Sequence, residues 1–450
     1  MMKKSLKITC AVATLAMLLT ACNPSVEPND SANTSDSKTE ISTDISQLPD
    51  QTLTVWDQET RGGQNEQMEA INAAFMKKYP NITIERNSQS FDNLQTTLRL
   101  ALSGNDAPDV VEANNSRSMM GQFVSAGQIL CLDDYAKAYG WRDRYSDDIL
   151  QYSSYSKDAK TFGEGCLYGL PQVGESVGIY YSKSQLNELG LSLPDTWKDF
   201  TNQLNMIKKA GKTPLMLGNV EKWPAIHVFG AIQGAHTPYA QITTLGFGNP
   251  GASWDTSENL TAATQLQDWA KKGYFNQGFN GADYDSVWQS FANGEGVYLI
   301  AGSWLAPDLA ASMGNDVGFI LPPATNGEIA TTGGTGLPFT ITSSAKNPNV
   351  AAAYIDFLTS KEAMKILAET GNVPVYDTAI LASGKQGVEA DVMLAFDKLV
   401  TEGHVLPYLD YATTTMDQVI GDSLQQLVGG DITPQQFINS LQDAYSSATE

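Results

Sequence analysis

Residues 52–113 alternate between short apolar runs and helical periodicity, and this alternation constrains the fold more than any other stretch of the chain. The run 52–56 reads as a strand, and 65–79 as a helix with Met68, Ile71 and Phe75 on one stripe until Pro80 stops it. A strand at 82–86 comes next. Residues 91–103 then form a helix with Leu94, Leu98, Ala101 and Leu102 inward and Gly104 past its end, followed by a strand at 109–113. Strand, helix, strand, helix, strand in direct succession implies a parallel sheet, since each helix must carry the chain back to the starting edge by a right-handed crossover.

In such a sheet ligands gather beyond the carboxyl ends of the strands. The residues there are polar every time: Asp57, Gln58 and Glu59 after the first strand, Ser88 and Gln89 after the second, Asn114 and Asn115 after the third. Carboxylates accept hydrogen bonds and amides both donate and accept, so the set suits a polyhydroxylated ligand. Ordinary turns and caps also favour Asp and Asn, and that reading stands beside the functional one.

The N-terminus sets the address. Lys3, Lys4 and Lys7 precede an apolar stretch, 8–19, that is shorter than the roughly 20 residues a membrane span needs, so 1–21 reads as a signal peptide. Leu19-Thr20-Ala21-Cys22 looks like a bacterial lipobox, with Cys22 as the lipidated residue anchoring the protein to the membrane outside the cytoplasm. Residues 22–50 have few large apolar side chains and read as a flexible tether. About 400 residues then remain, too many for one compact core, so two domains are expected. Without the three signal lysines, 25 basic face 50 acidic side chains, a formal charge of −25. Such a field repels nucleic acid and anionic ligands and is compatible with a neutral polyhydroxylated ligand or a cation.

Cys131 and Cys166 remain as a pair for which a disulfide is one expectation in an oxidising exterior, though their separation in space is not written in the sequence. His227, His236 and His404 are scattered and fit no metal or nucleophile motif, so no metal and no cofactor is expected. In the middle of the chain, 168–183 pairs a Pro- and Gly-containing entry with an apolar strand, as where a chain passes between domains. Pro194, Asp195 and Thr196 open a helix with Trp197, Phe200, Leu204 and Ile207 on one face, closed by Gly211; strands at 213–217 and 297–301 follow. Glu221 and Trp223 follow the first of these strands, and Ser303 and Trp304 the second. Trp197, Trp269 and Trp288 fall within helical patterns and are assigned to packing, whereas Trp223 and Trp304 stand at junctions where a ring can cover the C–H face of a sugar.

The phrases LTVWDQETRGGQNEQMEAINAAFMKKYPNITI, GNDAPDVVEANN, YGLPQVGESVGIYYSKSQL, FANGEGVYLIAGSWLAPDL and GGTGLPFTITSSAKNPNVAAAYIDFLTS together resemble the extracellular sugar-binding proteins of ABC importers, the family of maltose-binding protein. The resemblance implies a two-lobed α/β fold of the periplasmic-binding-protein type. Each lobe would be a mainly parallel sheet flanked by helices, with 51–172 plus 335–378 as one discontinuous lobe and 173–334 plus 379–450 as the other, joined by a hinge. It also implies that Asp57, Gln58 and Asn114 contact ligand, that Glu175 is the carboxylate at the hinge crossing, and that Trp304 stacks. Glu221 with Trp223 would form a wall, and Asp410 and Tyr411 would add hydroxyl binding and stacking. Gln89 joins this set from its place after the second strand. Gln58 stands where the maltose-binding branch has lysine, and Asn114 where that branch has an aromatic and acidic cluster, so the resemblance implies a glycan without singling out maltose.

The function implied is a monomeric, lipid-anchored receptor that delivers an oligosaccharide to the membrane permease subunits of an ABC importer and catalyses nothing. One alternative is a secreted glycoside hydrolase using paired carboxylates among Asp57, Glu59, Glu175 and Glu221. Neither an eightfold βα pattern nor a regular run of sandwich strands supports it. Another is a binder of a peptide or a cationic metabolite, which the negative charge allows.

Overall fold

A computed structural model describes residues 40–104, 106–323 and 328–449. The signal peptide, Cys22 and most of the expected tether lie outside the described residues. The end of that tether is a correction: Ile45 is fully buried in the first hydrophobic core, and the Asn81 amide donates to the carbonyls of Ile45 and Leu48 at 2.9 and 3.0 Å. Ile41 and Leu48 pack partly buried against the same core, so three apolar side chains and one amide dock 41–50, where the sequence had offered only sparse hydrophobicity.

Twelve strands are arranged in two main sheets and one short pair among the described residues. In the first sheet β1 (Gln51–Asp57) lies between β2 (Ile82–Ser88) and β3 (Val110–Glu112), both parallel to it; the helices α1 (Gly62–Lys78) and α2 (Phe91–Leu102) make the crossovers. The expected βαβαβ unit is therefore present. The short strands β4 (Ser154–Tyr155) and β5 (Cys166–Leu167) pair antiparallel, and Cys131 and Cys166 are joined by a disulfide with 5.8 Å between Cα atoms.

The second sheet departs from the mainly parallel arrangement expected of both lobes. Its long central strand β6 (Gly174–Ser182) runs antiparallel to β8 (Tyr298–Gly302), to β9 (Val317–Ile320) and to β10 (Ala330–Thr335). Parallel pairing is confined to β7 (Leu215–Met216) on β8 and β12 (His404–Leu406) on β10. The chain then recrosses: β11 (Phe339–Ile341) returns to the first sheet as an antiparallel edge on β3. Glu175 and Leu337 thus sit next to the points where the chain passes from one sheet to the other.

Local sequence explains the element that carries one wall of the site. Asn219 Oδ1 accepts from the backbone N–H of Ala225, which satisfies one of the free donors of the helix Trp223–Gly234, and Pro224 fills its first turn. Trp197 and Trp269 are buried and stack on each other at 5.8 Å, and Trp288 is 9% exposed in a third core cluster, so all three pack as their helical spacing predicts.

Candidate functional site

A cavity of about 640 Å³, counting its open mouth, lies between the two sheets. Its first side is built from residues after β1 and β3 and from the starts of α1 and α2: Gln58, Arg61, Gln64, Phe91 and Asn114. Trp223, Ile226 and His227 on one helix, Trp304 after β8, and Tyr408, Asp410 and Tyr411 after β12 make the second side. Glu175 and Leu337 close it at the crossings.

Rings form the second side. Trp223 and Trp304 have centroids 6.3 Å apart at 66°, His227 lies 5.5 and 5.4 Å from them, and Tyr408 is 5.5 Å from His227 and 5.3 Å from Tyr411. Phe91 reaches across from the first side to within 6.3 Å of Trp223. The wall is braced from behind by Tyr284, 4.4 Å from Trp223, whose hydroxyl accepts from Trp304 Nε1 at 3.0 Å. Each such ring plane can cover the apolar C–H face of a hydroxyl-rimmed molecule, while polar neighbours reach its rim.

Polar groups are set among the rings. Burial raises Glu175 to about 7; the Tyr408 hydroxyl donating to Oε2 at 3.0 Å opposes the rise and the nearby Glu59 adds to it. Burial likewise raises Asp410 to about 7, with Asp417 adding. His227 is lowered to about 3 by burial, so its ring is neutral, and Nδ1 has no partner. The Trp223 indole N–H also lacks a partner. Arg61 is committed: its Nε lies 3.1 Å from Asp285 Oδ1, and its guanidinium sits 5.6 Å from the centre of the Tyr284 ring.

Of the side chains singled out from sequence, Gln58, Asn114, Glu175, Trp223, Trp304, Asp410 and Tyr411 are brought together on this cavity. Three are not. Asp57 lies beneath it, fully buried, with Arg86 donating to both carboxylate oxygens at 2.6 and 2.7 Å. The Gln89 side-chain oxygen accepts from the Thr97 hydroxyl at 2.9 Å, on the helix that follows it. Glu221 turns to the Tyr284 N–H at 3.2 Å and so supports the ring behind the wall. The sequence reading missed Arg61, Gln64, Phe91, Ile226, His227, Leu337 and Tyr408. Tyr408 was within reach, being part of the aromatic and acidic run at 408–411.

Two sheets joined by repeated crossings, with a ring-lined cavity between them, are the geometry of a receptor that closes on its ligand. Residues 59–365 match the bacterial extracellular solute-binding proteins. The chain belongs to that family. This solute-binding protein is 24% identical over 341 residues to the multiple sugar-binding protein of Streptococcus mutans, covering 74% of this chain and 78% of the relative. It is also 24% identical over 393 residues to a maltodextrin-binding protein of Bacillus subtilis, covering 84% and 82%. Among solved structures, a chitin oligosaccharide binding protein superposes with a TM-score of 0.75 at 20% identity, over 89% of this chain and 99% of that one. A raffinose complex does so with 0.70 at 20% identity, over 89% and 100%. The two-lobed solute-binding fold follows from these superpositions.

Proposed function

We propose that this solute-binding protein captures an oligosaccharide outside the cytoplasm and presents it to the permease subunits of an ABC importer, without catalysis. The observation that carries the reading is the placement of Trp223 and Trp304 on one side of the cavity, facing the amides of Gln58 and Asn114 on the other. Stacking planes opposite hydroxyl partners are what a pyranose ring requires. The relatives named for multiple sugars and maltodextrin, and the neighbours named for chitin oligosaccharide and raffinose, support a carbohydrate as the ligand class.

Closure would bend the backbone where the chain crosses between sheets, near 170–174, 335–339 and 373–378, so that the lobes are 51–172 plus 335–378 and 173–334 plus 379–450. Cys22 would carry the lipid that keeps a monomeric receptor near its importer. Metabolic labelling with palmitate, lost in a Cys22→Ser variant, tests the anchor; equal labelling of both proteins rejects it.

A thermal-shift panel of mono- and oligosaccharides tests the binding function, since a ligand that binds only the folded form raises the melting temperature. At least one sugar should bind tighter than about 1 mM; a panel with none rejects the reading. Reducing sugar released by the purified protein, and abolished by Glu175→Gln, would instead make it a glycoside hydrolase.

A further inference from the structure

The order of strands in the two sheets sets the two ends of the cleft, and this limits the length of the ligand, on the premise that it is a carbohydrate. In the first sheet β3, β1 and β2 lie side by side, so the residues that follow them stand in a row: Asn114, then Gln58 and Arg61, then Phe91. In the second sheet β12 and β7 are the opposite edges, with Tyr411 following one and Trp223 the other. Contacts pair these ends across the cleft. Three residues after Asn114, the Arg117 N–H donates to the Tyr411 carbonyl at 3.2 Å, and the Arg117 guanidinium donates to the Phe247 carbonyl at 3.0 and 3.2 Å. At the other end Phe91 and Trp223, each the first residue of its helix, have ring centroids 6.3 Å apart. The pair of Arg61 with Asp285 belongs to this second end, because both charges act on the carboxyl of Asp92, the neighbour of Phe91.

The bridged ends are close together. Neighbouring strands lie about 4.8 Å apart, so the two spacings from β3 to β2 cover roughly 10 Å and the four from β12 to β7 roughly 19 Å. Each linked pyranose advances a glycan by about one such spacing, which leaves room for roughly two or three rings in a cavity of about 640 Å³ counting its mouth. A longer chain has to part Phe91 from Trp223 and Arg61 from Asp285. The Phe91 ring offers a passing chain no hydrogen bond, although it can cover the C–H face of a ring that ends against it.

We infer that the cleft takes a short glycan, roughly two or three rings long, whose end stops against Phe91, and that Phe91 is the residue that sets this length. Chain length, as well as the kind of sugar, then separates the ligand from related glycans.

Calorimetric titration with malto-, cello-, xylo- and chito-oligosaccharides, each series running from one ring to about six, tests this directly. In the series that binds, the wild type should peak at about two or three rings and lose about tenfold or more by about five or six. In Phe91→Ala, shown to be folded by its melting curve, the longest chains should come within about threefold of the peak. If the wild type binds the longest chains as tightly as the short ones, the inference is overturned and the carbohydrate reading survives. A loss with length that persists unchanged in Phe91→Ala also overturns it, since the limit then lies elsewhere in the cleft. If no member of any series binds, both fall.

Discussion

The Tyr408 hydroxyl donates to Glu175 Oε2 at 3.0 Å, which ties the segment after β12 to the first residues of β6 at the floor of the cleft. Both groups are buried, and burial, opposed by the bond, brings the carboxyl to about 7.

That placement has a pH consequence. Burial raises Glu175 from 4.5 to about 7, so between those values the folded protein holds a proton that the unfolded chain has released. Stability from this group is thus highest in acid, falls as pH rises from about 4.5 to about 7, and is flat above. Burial sets the size of the effect, the Tyr408 hydroxyl reduces it and Glu59 adds to it, with Tyr284 and Tyr411 close by. Melting temperatures of wild type and Glu175→Gln across this range should diverge in slope, with the variant less steep; parallel curves would contradict the assignment.

Gly302 lies directly under the Trp304 indole, and a Cβ there would overlap the ring. Gly302→Ala should therefore displace the indole and weaken sugar binding nearly as much as Trp304→Ala, by about 2 kcal/mol, roughly thirtyfold in affinity. Full affinity in Gly302→Ala would show that the ring position is immaterial.

Lys222 adopts φ 72° and ψ −41°, and the Trp223 N–H donates to the Glu221 carbonyl at 2.9 Å, which makes residues 221–223 a strained positive-φ γ-turn. The turn aims Trp223 at the cavity, and the Lys222 side chain itself points away into a half-exposed ion pair with Asp422 at 2.5 Å. Lys222→Gly should keep affinity within about twofold, because glycine takes positive φ freely; Lys222→Val should lose about tenfold, because a β-branched residue does not. The reverse order in a fluorescence titration would exclude a role for this backbone.

Arg61 and Asp285 come from opposite sides of the cleft, so their ion pair forms only when the two sides are close. Asp285 is 53% exposed, which limits the pair to about 0.5–1 kcal/mol. Asp285→Asn should weaken ligand binding two- to fivefold and flatten its dependence on salt; unchanged salt dependence would deny the pair a part in closure.

The disulfide between Cys131 and Cys166 spans 35 residues. Removing it with a double Cys→Ala change should cost roughly 3 kcal/mol by the loss of loop constraint and leave sugar affinity unchanged. A drop in affinity at equal folding would link it to the site.

Where recognition depends on local periodicity, the sequence was readable. The first βαβαβ unit and the buried faces around Phe75, Leu98 and Leu204 follow directly from spacing. The antiparallel neighbours of β6 were not readable, since pairing partners 117 to 161 residues away leave no mark on local pattern. The site divides the same way. Trp223 and Trp304 stand at element junctions and announced themselves. Asp57 looked like a ligand contact until Arg86 claimed both its oxygens, and His227 looked like a scattered core histidine until its helix brought it between two tryptophans. Arg61 carried no signal at all, because its partners Asp285 and Tyr284 lie more than 220 residues onward.

A crystal structure of the protein with the tightest-binding sugar of the panel tests the account most directly. The sugar is predicted in the cavity, a ring face against Trp304 or Trp223 and hydroxyl groups within hydrogen-bond reach of Asp410 and Glu175. A sugar bound elsewhere on the surface, with this cavity holding only water, would contradict it.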